Sequence, residues 1–113
     1  MKRLVWLAAL VIVSAACTPA LAQQFIDGKP IYEENCRECH GPRGVPPQSM
    51  QVKYERIATF NALFIKKRSV DSLVKILTKG KGKDMKSFKD KMSKDEMTAV
   101  AAYVRELAQK SKS

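Results

Sequence analysis

Two cysteines and the chain's only histidine fall within five residues: Cys36, Cys39 and His40, in the run NCRECHGPRG. Thiols and an imidazole at this spacing can hold a metal ion, cycle a disulfide or carry a covalently attached haem. A structural zinc site needs four ligands, usually two pairs of Cys or His. Apart from Cys17 the sequence offers no other Cys or His. A Cys-x-x-Cys redox pair works where it follows a strand and opens a helix. This pair instead closes a helical pattern, and disulfide cycling leaves His40 without a role. Cys-x-x-Cys-His is also the attachment motif for haem c. On a helical turn both thiols reach vinyl groups along one porphyrin edge, and the histidine reaches the iron. The pattern therefore favours one haem c per chain, with Cys36 and Cys39 as covalent thioethers and His40 as the proximal iron ligand.

The start of the chain places this motif in an exported protein. Lys2 and Arg3 precede an apolar run from Leu4 to Ala16, and Ala20-Leu21-Ala22 supplies small residues for cleavage. Residues 1–22 are thus expected to be a signal peptide and residues 23–113 the monohaem domain. This thirteen-residue stretch is short for a membrane span, which takes about 20 residues. Lipidation at Cys17 is the alternative; Ser14 stands where lipoprotein signals usually carry an aliphatic residue. The expected location is the periplasm or outside the cell, where haem c is typically attached. Cleavage leaves 91 of the 113 residues, with Cys36 and Cys39 the only cysteines. A domain of that size gains from a cofactor in its core.

The remaining elements must position the motif. A helix is expected from near Asp27, with Asp27 as cap, Pro30 in the first turn and Gly41 as the stop. Residues 42–68 read mostly as loop, with one short helical turn inside YERIATFNALFIKKR. Ser69 opens a clearer helix with Val70, Leu73, Val74 and Leu77 on one face, ending at Gly80. A lysine-rich loop follows. Ser93 and Glu96 form a capping box for the last helix, whose apolar stripe is Met97, Val100, Ala101, Val104 and Leu107. No segment reads as a strand.

With a single histidine, the second face of the iron is left to Met, Lys or no ligand. Met97 lies on the last helix's apolar stripe, Met92 just ahead of its cap, and Met50 close in sequence to the attachment site. Met85 sits in the loop between helices, where a thioether can turn inward without breaking a helix.

From GKPIYEENCRECHG through LTKGKGKDMKSF to SKDEMTAVAAYVRELA, the mature chain resembles the class I monohaem cytochrome c family. The resemblance implies an all-α, cytochrome c-like fold of three main helices and long loops around one haem. It implies Met85 as the distal iron ligand, Phe88 at the Phe of a Met-Pro-x-Phe-like loop, and Tyr103 as the aromatic residue of a closing helix that crosses the first. Lys86 stands where that loop often has proline. A backbone carbonyl of Pro46 or Pro47 is expected to orient His40, and Tyr54 and Arg56 to meet the haem propionates.

His/Met ligation raises a haem's potential and leaves little room for substrate, so a one-electron carrier is expected and not an enzyme. Removing Lys2 and Arg3 from the 21 basic residues, against 11 acidic ones, leaves a formal +8. Many of these cations lie between Lys66 and Lys91, flanking Met85, which suits acidic redox partner proteins. Export and the lack of an aromatic-rich binding motif argue against nucleic acid, and contact with a membrane is expected only transiently or through a partner. Two other readings stay open: an open-site haem protein binding gaseous or peroxide ligands, and a haem subunit of a larger exported redox enzyme.

Overall fold

The computed structural model describes Ser14 and residues 24–111. The expected signal peptide, its cleavage triplet and the Cys17 anchor lie, Ser14 apart, outside the described residues. Six helices run in order: α1 (Gly28–Asn35), α2 (Arg37–His40), α3 (Gln48–Lys53), α4 (Ala62–Lys66), α5 (Val70–Lys79) and α6 (Lys94–Lys110). Among the described residues there is no strand, only an isolated bridge between Lys81 and Met85.

The caps are the expected ones. Asp27 accepts from the Lys29 amide at 3.0 Å, and Ser69 accepts from the Ser72 amide at 3.2 Å. Ser93 and Glu96 complete both halves of a capping box, satisfying two amides that lack partners within the helix. Two boundaries differ from expectation. The first helix breaks at Cys36, whose φ of −123° separates α1 from α2. The segment 42–68 contains α3 as well as α4. α3 escaped notice because it opens at Pro47 without a side-chain cap and buries no residue.

α6 is the hub of the packing, meeting α1, α4 and α5. Met97, Val100, Ala101 and Val104 of its predicted stripe are buried, with Ala108 rather than Leu107 at the far end. α5 contributes Leu73 and Leu77. α1 contributes Tyr32, fully buried and edge-on to Tyr103 of α6 with ring centres 5.4 Å apart. The close approach of these two helices depends on Gly28. A Cβ there would lie 2.1 Å from the Ala99 carbonyl oxygen and 2.9 Å from the Tyr103 Cβ. Relief of such overpacking typically requires backbone movement at a cost of about 1–3 kcal/mol. Gly28→Ala is therefore expected to lower unfolding stability by at least about that amount, measured by denaturant titration.

Candidate haem site

The motif sits where α1 meets α6. Although Cys36 breaks the helical dihedrals, the hydrogen bonding carries through it. Its amide donates to the Tyr32 carbonyl and its own carbonyl accepts from the His40 amide, both at 2.9 Å. Gly41 then ends α2 with a φ of 78°, in the left-handed region open to glycine. The Gly41 carbonyl accepts from the buried Tyr32 hydroxyl at 2.7 Å. Tyr32 thus ties the residue after His40 back to the α1–α6 contact.

Next to the motif lies an apolar cleft of about 560 Å³, counted to its solvent-open mouth. Cys36, His40 and Met85 all line it, together with Phe60, Phe64 and core residues of α5 and α6. Cys39 does not line the cleft; it lies in the short turn of α2 between Cys36 and His40, half-buried. Of the methionines among the described residues, Met85 alone borders this space. Met92 and Met97 are buried in the core, and Met50 lies on α3.

The environment suits ligation over redox cycling. Burial pushes the Cys36 thiol up to about 11, the opposite of the lowered values that redox-cycling cysteine pairs show. His40 titrates below its ordinary value, chiefly because it is buried. Its Nδ1 lies 3.3 Å from the Ala58 carbonyl oxygen. With Nδ1–H donating there, Nε2 keeps its lone pair free, the arrangement that orients a histidine ligand. The carbonyl expected from Pro46 or Pro47 is thus supplied by Ala58. The Pro46 carbonyl instead accepts from the Gln51 side chain at 2.7 Å. Phe60 stacks on the imidazole with ring centres 4.7 Å apart. It reaches that position past Gly44, whose added Cβ would meet the Phe60 Cβ at 2.8 Å.

The Met85 loop is held firmly without a proline. Lys81 and Met85 exchange backbone hydrogen bonds, and the Phe88 amide donates to the Leu77 carbonyl at 2.8 Å. Ser87 Oγ donates to the Thr78 carbonyl at 2.6 Å. Gly80 admits this packing, since a Cβ on it would stand 2.7 Å from the Met85 carbonyl oxygen. Hydrogen bonds to the end of α5 thus do what a proline at position 86 would do.

The expected propionate partners are placed elsewhere. Tyr54 lies under the Lys53 ammonium, Arg56 is exposed, and neither borders the cleft. The cations that do border it are Arg68 and Lys81. Ala58, Phe60 and Arg68 lie in segments without helical periodicity, so spacing alone could not single them out. The closely spaced glycines Gly41 and Gly44 were the available signal of a tight backbone approach. Among the described residues no three or more His, Cys, Asp and Glu side chains come together as a metal-binding group.

A thiol, an imidazole and a thioether bordering an apolar cleft, with the second thiol of the motif one residue before the imidazole, fit a haem joined to the chain, and the comparisons agree. A family model described as Cytochrome C oxidase, cbb3-type, subunit III matches residues 23–104, and the chain belongs to the cytochrome c family. A cytochrome c6-like protein of Nostoc sp. is 33% identical over 109 residues, covering 96% of this chain and 93% of the relative. Cytochrome c6 of Microcystis aeruginosa is 34% identical, covering 74% of this chain and 98% of its own length. The solved KustC0563 c-type cytochrome superposes with a TM-score of 0.65 at 27% identity, covering 74% of this chain and all of that structure. The chain accordingly carries one covalently bound haem c and is an electron carrier, not an enzyme.

The Tyr32–Gly41 hydrogen bond gives a direct test of how the motif is held. Tyr32→Phe removes the shorter of two hydrogen bonds to the Gly41 carbonyl, which keeps the Gly44 amide as a donor at 3.2 Å, a loss of about 0.5–1.5 kcal/mol. Denaturant unfolding of the holoprotein should show that loss with the ring packing retained.

Proposed function

We propose that this protein is an exported one-electron carrier whose haem is held by thioethers from Cys36 and Cys39, with His40 and Met85 as axial ligands. The observation that carries this is an apolar cleft bordered by His40 and, among the methionines of the described residues, by Met85 alone. When bound, haem c supplies a reversible ferric–ferrous couple. The chain's own residues set its conditions. The Ala58 carbonyl holds the His40 tautomer, the apolar lining keeps water from the iron, and the pinned loop presents the Met85 sulfur. A sulfur ligand opposite histidine favours the reduced iron. Residues 1–22 would direct export and be removed, leaving the periplasm or the outside as the place of work.

Optical spectra of the mature holoprotein test the ligand set. The expected result is a low-spin haem with a methionine–iron charge-transfer band and no response to carbon monoxide. Met85→Ala should lose the band and bind carbon monoxide promptly. High-spin haem or prompt carbon monoxide binding in the unaltered protein would point to an open sixth site.

The lysines from Lys66 to Lys91 are all exposed, and among the described residues none is in an ion pair. They are free to meet an acidic partner, whose approach such a field accelerates. Electron transfer to an acidic protein should therefore slow as salt rises from about 0.01 to 0.15 M, because screening shortens from about 30 to 8 Å. Rates independent of ionic strength would remove the docking role. The description of the matching family model favours a second reading, a haem subunit of a larger exported redox enzyme. Co-purification at native abundance separates the two, since a free carrier elutes alone.

A further inference from the structure

Arg68 differs from the cations around it. The neighbouring Lys66 and Lys67 are exposed, whereas Arg68 is half-buried and borders the cleft. Its guanidinium lies over the Phe64 ring, 4.9 Å from the ring centre, and Phe64 itself borders the cleft. The backbone around it is held by a second arginine. Arg105 Nη1, from α6, donates to the Ile65 carbonyl at 3.0 Å and to the Arg68 carbonyl. That clamp fixes the turn after α4 and with it the place of Arg68. Among the described residues no acceptor takes a hydrogen bond from the Arg68 guanidinium, it makes no ion pair, and no acidic residue lines the cleft.

Arg68 is a half-buried residue at the cleft whose guanidinium lies over an aromatic ring, and its fork of N–H donors is free to meet an anionic group at the cleft mouth. A planar fork of N–H donors is matched best by a carboxylate. We propose that Arg68 is the partner of a haem propionate, taking the role that the sequence suggested for Tyr54 and Arg56. Lys81, exposed at the same cleft, adds charge at the rim without the fixed geometry. The pairing neutralises a carboxylate close to the iron, so Arg68 acts as a positioning residue that holds the haem's orientation and supports its reduced state. The proposal rests on the reading that this cleft seats the haem.

The test uses holoprotein carrying haem labelled with ¹³C at the propionate carboxylates, in the unaltered chain and in Arg68→Gln, Arg68→Lys and Lys67→Gln. Reduced-minus-oxidised infrared spectra report the carboxylates, and redox titration reports the iron. In Arg68→Gln the labelled carboxylate band should shift, and the equilibrium constant for reduction should fall about three- to tenfold, as expected for losing a nearby charge in a partly screened site. Arg68→Lys should keep most of the constant but still move the band, because an ammonium cannot reproduce the two-pronged contact. Lys67→Gln loses the same charge and should leave the band in place. An unmoved band in both Arg68 variants, or equal effects from Lys67→Gln, would overturn the assignment. If Arg68→Gln fails to fold, the band in Arg68→Lys alone decides. The methionine–iron band, read on the same samples, reports separately on Met85.

Discussion

At Gly28 a single added carbon would lie 2.1 Å from the Ala99 carbonyl oxygen, and that crossing of α1 over α6 sets the frame for the site. It buries Tyr32 against Tyr103, and the Tyr32 hydroxyl then reaches the Gly41 carbonyl. The motif residues lie between these two tethers, Cys36 at the end of α1 and His40 one residue before Gly41. Phe60 extends the same aromatic group from Tyr32 to the imidazole. The attachment motif is thus placed by side-chain packing above it and by a glycine stop below it, with little freedom left for its own short helix.

The opposite wall is built by different means. α5 supplies a rigid edge through Leu73 and Leu77, and its last carbonyls accept from Ser87 and Phe88. A loop rich in lysine would repel itself in isolation. Tied to α5 at both ends, it keeps its charges outside and turns Met85 toward the apolar side. The two walls therefore divide the work between hydrophobic packing and backbone hydrogen bonds. This explains how a domain with mostly short helices between its first and last still holds a defined cleft.

Much of this was legible in the residues. The capping signals at Asp27, Ser69 and Ser93 and the stripe on α6 each follow a local rule, and local rules can be read without coordinates. The Cys-x-x-Cys-His spacing carries its chemistry on its face. What was missed has a common physical cause. The carbonyl of Ala58, the stacking of Phe60 and the placement of Arg68 come from contacts between segments distant in sequence, made by chain without periodic structure. Pro46 and Pro47 were the expectation from the family resemblance, yet a backbone carbonyl can come from any residue, and Ala58 offers no signal of its own. Likewise the absence of proline at Lys86 is visible in sequence, whereas the hydrogen bonds that hold the loop are not.

The Lys81–Met85 bridge closes the loop at its base, while Gly82 at its tip has nothing within 4 Å of where a side chain would begin. The register of Met85 is therefore fixed by the backbone at the loop's base and not by the side chain at its tip. Such a design separates what the loop does inward from what it shows outward. The tip can change in length, charge or shape, and so in the surface it offers to solvent, while Met85 keeps its place at the cleft. Outer shape and inner register become independently variable within one short turn.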